Sequence, residues 1–95
     1  MLPSARPEVV FTSLSDGGVL FSAATEEYFG LNPVGARVWE LLPPVTTSID
    51  ELCERLGRDY PDVPLSAIRA DVAELLDELA AHRLVWAQGG LTGDR

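Results

Sequence analysis

The stretch Glu27-Tyr28-Phe29-Gly30-Leu31-Asn32-Pro33-Val34-Gly35-Ala36-Arg37-Val38-Trp39-Glu40-Leu41-Leu42 decides the fold. Its first part, Tyr28 to Leu31, has the aromatic and aliphatic content of a strand. Its second part opens a helix: Asn32 is a capping residue type, and Pro33 suits the first helical position, where a missing N–H is harmless. Val34, Val38 and Leu41 fall on one helical stripe, Trp39 extends that apolar surface, and Pro43-Pro44 stops the helix at about Leu42. A strand joined this tightly to a helix predicts a groove beside the junction, and the stretch carries no catalytic chemistry.

Toward the N-terminus, Glu8 to Leu14 alternates as a strand, with Val9 and Phe11 on one face and Val10, Thr12 and Leu14 on the other. Ser15-Asp16-Gly17-Gly18 supplies a turn, and Val19 to Ala23 continues as a second strand, so the pair reads as an antiparallel hairpin. Toward the C-terminus, Ser48 and Glu51 have capping-box spacing. Ile49, Leu52, Cys53, Leu56 and Tyr60 then repeat on one face of a helix that ends near Gly57 or Tyr60. Leu65, Ile68, Val72, Leu75, Leu76 and Leu79 cluster within about a third of a helical wheel and predict a further helix, with Asp71, Glu74, Asp77 and Glu78 outside the stripe. Leu84-Val85-Trp86 forms a short apolar end that returns along the helices or adds a brief strand. Three strands with no helix between them, followed by three helices, exclude a wound parallel sheet. The expected architecture is α+β, a three-stranded antiparallel sheet followed by three helices.

At 95 residues the chain forms one domain with a modest core. Residues 8–86 are expected to make that domain. Residues 1–7, with Pro3 and Pro7, and residues 87–95, ending Gly89-Gly90-Leu91-Thr92-Gly93-Asp94-Arg95, read as flexible ends. Fifteen acidic against seven basic residues give a net charge of −8, which repels nucleic-acid phosphate and favours a basic partner. No apolar run approaches the roughly 20 residues that cross a bilayer, and no signal core follows the N-terminus, so no membrane partner and a cytoplasmic location are expected. Cys53 is the sole cysteine and lies between Glu51 and Glu54, which disfavour a thiolate; it reads as a small buried apolar residue. His82 falls at the end of the last helix, where a cation suits the helix dipole. No acid–base pair, nucleophile constellation, metal-ligand spacing or phosphate-binding loop is present, so neither catalysis nor a cofactor is expected.

Asp16-Gly17-Gly18, then Tyr28-Phe29-Gly30-Leu31-Asn32-Pro33-Val34-Gly35-Ala36, then Trp39-Glu40-Leu41-Leu42, resemble the PqqD-like peptide-recognition proteins. Ile68-Arg69-Ala70-Asp71-Val72, Leu75-Leu76, Leu79 and Leu84-Val85 match the family's later part, so the resemblance spans about Glu8 to Trp86. It implies a winged helix-turn-helix-like fold and a non-catalytic role, binding the leader of a ribosomally synthesised precursor peptide and presenting it to separate modifying enzymes. In lasso-peptide pathways those are a leader peptidase and a cyclase; in pyrroloquinoline quinone biosynthesis the related chaperone serves a radical enzyme. The compact free-standing form and Asn32-Pro33-Val34-Gly35-Ala36 look most like the lasso-peptide version.

The resemblance also places the docking edge at Tyr28, Phe29, Gly30 and Leu31, with the last helix as the opposite wall. A leader adding itself there as a strand uses main-chain hydrogen bonds for affinity and side-chain pockets for specificity. Ile68, Val72 and Leu75 are candidates to receive apolar leader residues, and Asp71 and Glu78 to meet a basic residue or a free amide. Two other classes compete with this reading. A winged-helix nucleic-acid binder is disfavoured because its recognition helix offers Arg69 and Arg83 against four acidic residues. A small subunit that stabilises a partner enzyme through Trp39 or Trp86 is compatible with leader binding.

Overall fold

The computed structural model describes residues 2–86. Three strands, β1 (Val9–Leu14), β2 (Gly17–Ser22) and β3 (Glu27–Leu31), precede three helices, α1 (Pro33–Leu41), α2 (Ile49–Asp59) and α3 (Leu65–Ala81). The strands form one antiparallel sheet in the order β1-β2-β3, so the domain is α+β, and its arrangement is compatible with a winged-helix-like description. The leading hairpin is tighter than the sequence predicts. Its turn contracts to Ser15 and Asp16, while Gly17 and Gly18 enter β2 opposite Leu14 and Ser13. Packing explains the shift: Gly17 has φ +140°, and a Cβ there would collide with the Leu31 carbonyl oxygen, while one at Gly18 would collide with the Phe11 ring. The two glycines let the strands and the sheet-to-helix junction close; they do not form the turn.

The helix ends follow their local chemistry. The Gly35 N–H donates to Asn32 Oδ1 at 2.7 Å, with Pro33 at the start of α1. The Glu51 N–H donates to Ser48 Oγ at 3.1 Å at the start of α2. The Glu51 carboxylate turns back to the Thr47 N–H at 3.0 Å, one residue before the expected capping-box partner. After α1, buried Thr46 donates its hydroxyl to the Leu41 carbonyl at 2.6 Å, which satisfies a helix-end acceptor inside the core. Arg37 of α1 pairs with Asp59 of α2 at 2.7 Å, and Arg69 of α3 pairs with Asp50 of α2.

The core lies between the inner sheet face and the helices. Leu20 from β2, Leu31 from β3, Val38 and Leu41 from α1, Leu52, Cys53 and Leu56 from α2, and Ile68, Val72, Leu76 and Leu79 from α3 are all buried. The α3 stripe divides: Leu75 is half-buried at its margin, and Leu65, the first helical residue, is 55% exposed. The opposite sheet face carries exposed Val10, Leu14 and Tyr28, consistent with the predicted alternation of β1.

The N-terminal segment departs from expectation. Leu2 and Pro3 are buried, Ala5 forms an antiparallel bridge with Val85, the Arg6 N–H donates to the Leu84 carbonyl at 3.1 Å, and the Trp86 N–H donates to the Ser4 carbonyl at 3.0 Å. The Arg6 guanidinium lies 4.3 Å from the centroid of the Trp86 ring. Residues 2–6 are therefore part of the packed domain, because Leu84-Val85-Trp86 offers them a strand to pair with and an apolar surface to cover. The tail expected over residues 87–95 lies outside the described residues.

A cleft between the β3 edge and α3

Backbone parity determines what β3 presents to solvent. The Ala23 N–H donates to the Glu8 carbonyl at 3.1 Å, so Ala23 directs its main-chain groups at β1. Alternation along β2 then directs Phe21 and Val19 at β1, and Ser22, Leu20 and Gly18 at β3. Their β3 partners are Glu27, Phe29 and Leu31. The N–H and C=O groups of Tyr28 and Gly30 are consequently turned to the edge of the sheet that no strand covers.

That edge borders an open cleft of about 450 Å³ lined by Phe29, Gly30 and Leu31 of β3, by Asn32, Val34 and Gly35 at the start of α1, and by Asp71, Glu74, Leu75 and Glu78 of α3. The α3 residues share one flank because they lie three or four positions apart. The resulting wall carries three carboxylates around one leucine. Among the described residues none of the three is ion-paired. The floor is apolar, from Leu31 and Val34. At the far end, the Phe29 and His82 rings meet with centroids 5.1 Å apart and tie β3 to the end of α3. A second, smaller apolar pocket of about 70 Å³ shares Val34 and Asp71 with the cleft and is lined also by Leu56, Tyr60, Val63 and Ile68.

Of the residues singled out in the sequence, Phe29, Gly30, Leu31, Asp71, Leu75 and Glu78 come together in the cleft. Ile68 lines the smaller pocket. Tyr28 contributes its backbone to the edge, but its side chain is on the outer sheet face, 75% exposed and in tilted contact with the Phe21 ring, centroids 4.9 Å apart. Val72 is only 1% exposed and belongs to the core. It lies four residues from both Ile68 and Leu76, at the centre of the stripe that packs inward, so it has no surface left for a ligand. Asn32, Val34, Gly35 and Glu74 were not foreseen. Asn32 reads in the sequence as a helix cap, yet a helix that starts at the end of an edge strand brings its first turn, Asn32 to Gly35, to that edge. Glu74 lies outside the apolar stripe of α3, and its spacing from Asp71 and Glu78 places all three on one flank.

Among the described residues no cluster of three or more potential metal ligands occurs. Cys53 of α2 is buried and does not line the cleft, and burial pushes its thiol up from the ordinary value. An unpaired strand edge faced by an apolar and acidic wall offers main-chain donors and acceptors with which an extended chain can pair.

Residues 17–85 match the profile of the family described as coenzyme PQQ synthesis protein D (PqqD). The chain belongs to the PqqD family. Among solved structures, this PqqD-family chain is similar to TbiB1 in complex with the TbiA(beta) leader peptide, with a TM-score of 0.78 and 28% sequence identity, over 88% of this chain and 95% of that one. No curated protein matches the chain. No helix among the described residues is long and apolar enough to cross a membrane.

Proposed function

We propose that this chain is a non-catalytic recognition domain that binds the leader of a ribosomally synthesised precursor peptide as an added strand on β3. The observation that carries the reading is the edge itself: Tyr28 and Gly30 turn their main-chain groups to the uncovered side of the sheet, and Gly30 borders a cleft whose opposite wall is α3. Side chains of the added strand that point inward meet Phe29, Leu31, Val34 and Leu75, while Asp71, Glu74 and Glu78 favour a basic residue beside them. The net charge of −8 draws such a peptide in at a distance and makes association weaken as salt rises. The solved relative held with a leader peptide supports the same reading.

Delivery goes to separate modifying enzymes, a leader peptidase and a cyclase of the lasso-peptide type, on the strength of the Asn32-to-Ala36 resemblance. The match to the coenzyme PQQ synthesis protein D profile favours one second reading, delivery of a precursor to a radical enzyme. A nucleic-acid role is disfavoured further because Arg69 is already engaged by Asp50. Amide hydrogen exchange tests strand addition directly. On titration with a leader peptide, the Tyr28 and Gly30 amides gain protection, whereas those of Phe29 and Leu31, already bonded to β2, change little. Protection confined to other elements would reject β3 as the docking edge.

A further inference from the structure

We propose that the bound peptide carries an aromatic side chain on the residue directly opposite Gly30, and that this side chain lies over the bare Gly30 backbone on the outer face of the sheet. The inference rests on strand addition at β3 and adds a second recognition surface to it, on the side of the sheet away from the cleft.

Gly30 occupies the middle of an edge strand, a position where glycine weakens pairing and β-branched or aromatic residues are preferred. The two reasons that usually keep glycine in such a place are missing. Its φ is not in the left-handed region, which among the described glycines is occupied by Gly17. A Cβ at Gly30 would meet no atom within 4 Å, unlike those at Gly17 and Gly18, which would collide with the Leu31 carbonyl and the Phe11 ring. The free domain makes no use of the absent side chain, so the space serves something that arrives from outside.

The location of the space determines what arrives. Phe29 and Leu31 face inward, so Tyr28 and Gly30 face outward. Gly30 is paired with Val19, and Val19 with Thr12; Tyr28 is paired with Phe21, and Phe21 with Val10. The missing side chain leaves a notch with the Gly30 backbone as its floor, Val19 behind it and the exposed Tyr28 ring beside it. Because Gly30 directs its N–H and C=O at the open edge, an added strand places one residue directly opposite it, and side chains of directly opposed residues share a face. That peptide residue therefore points outward, into the notch. None of Val10, Thr12, Val19, Phe21 or Tyr28 is charged, so a basic side chain gains no partner there. A flat aromatic ring gains most, by covering the glycine backbone and packing on Val19 and Tyr28, the arrangement by which aromatic residues compensate cross-strand glycines. The peptide is thus read on both faces: apolar and basic residues in the cleft, and an aromatic residue an odd number of positions away on the outside.

The test is a coupling measurement. Random 12-residue peptides are displayed and selected on the wild-type domain, and the best binder is synthesised with and without its aromatic residue. Both versions are then titrated against wild type and Gly30→Val. Valine enters open space and a strand-favouring site, so the variant folds with an unlowered thermal midpoint, checked by circular dichroism. Wild type is expected to enrich peptides with one Phe, Tyr or Trp at an odd spacing from a basic residue. Relative to wild type, Gly30→Val loses about fivefold more affinity for the aromatic peptide than for the alanine-substituted one, the scale of a cross-strand contact. An equal change in affinity for both peptides, or no positional enrichment of aromatics, overturns the notch while leaving strand addition standing. A failure of any selected peptide to protect the Tyr28 and Gly30 amides overturns strand addition, and the notch with it.

Discussion

Replacing Gly30 by proline separates the binding edge from the fold. The Gly30 N–H points away from β2, so proline removes no hydrogen bond of the β2–β3 ladder, and an edge strand tolerates proline where the lost N–H faced solvent. A peptide on that edge loses one main-chain hydrogen bond, about 0.5–1.5 kcal/mol, and one of its own carbonyls is left facing a proline ring, which costs about 1–3 kcal/mol if water is kept out. Taking about 2 kcal/mol as the combined loss, the dissociation constant rises roughly 30-fold. Fluorescence anisotropy with a labelled leader peptide measures this, and circular dichroism shows whether the domain still melts cooperatively. Phe29→Pro is the contrast, because the Phe29 N–H belongs to the β2 ladder and its loss lowers the thermal midpoint. A folded Gly30→Pro variant with undiminished affinity would refute strand addition at β3.

Reversing charge at Asp71 and Glu78 together, as D71K/E78K, weakens a lysine-containing leader by about 1 kcal/mol and flattens its salt dependence; titrations at low and high ionic strength check both. Leu79→Ala, at a fully buried site, destabilises the domain by about 2–5 kcal/mol in chemical denaturation. Leu75→Ala, at the cleft wall, weakens leader binding with a smaller loss of stability. Burial raises the Cys53 thiol pKa; the Arg69 charge opposes this and that of Asp50 adds to it. The folded protein thus holds this proton more tightly than the unfolded chain. The stabilisation is complete below the ordinary thiol value of about 8.5 and is lost as pH rises from there through the raised folded value. Alkylation at pH 8 is therefore slow in the native state and fast in denaturant, and Cys53→Ala removes this part of the alkaline loss of stability.

The elements themselves are legible from local chemistry. Asn32-Pro33 and Ser48 mark helix starts, and in the structure their side-chain oxygens receive the Gly35 and Glu51 N–H groups. Alternation in β1 and the 3.6-residue period in α3 state which faces are apolar. What the period leaves open is which apolar residue at the edge of a stripe turns inward. Val72 and Leu75 are both apolar, yet one is buried in the core and the other borders the cleft, because Val72 sits at the centre of the inward stripe between Ile68 and Leu76 while Leu75 lies at its margin. The same holds for the glycines. Asp16-Gly17-Gly18 reads as a turn, and only the approach of Leu31 and Phe11 shows that both glycines are strand residues under close contact.

The amino-acid order alone determined the succession of strands and helices and the acidic balance, since each depends on residues near one another in the chain or on simple composition. The third dimension decided the rest. It paired residues 2–6 with Leu84-Val85-Trp86, gathered Asn32 and Glu74 onto one cleft, and turned the Tyr28 and Gly30 backbone toward open solvent. Those outcomes depend on strand register and on the approach of segments more than forty residues apart, and no local propensity encodes them.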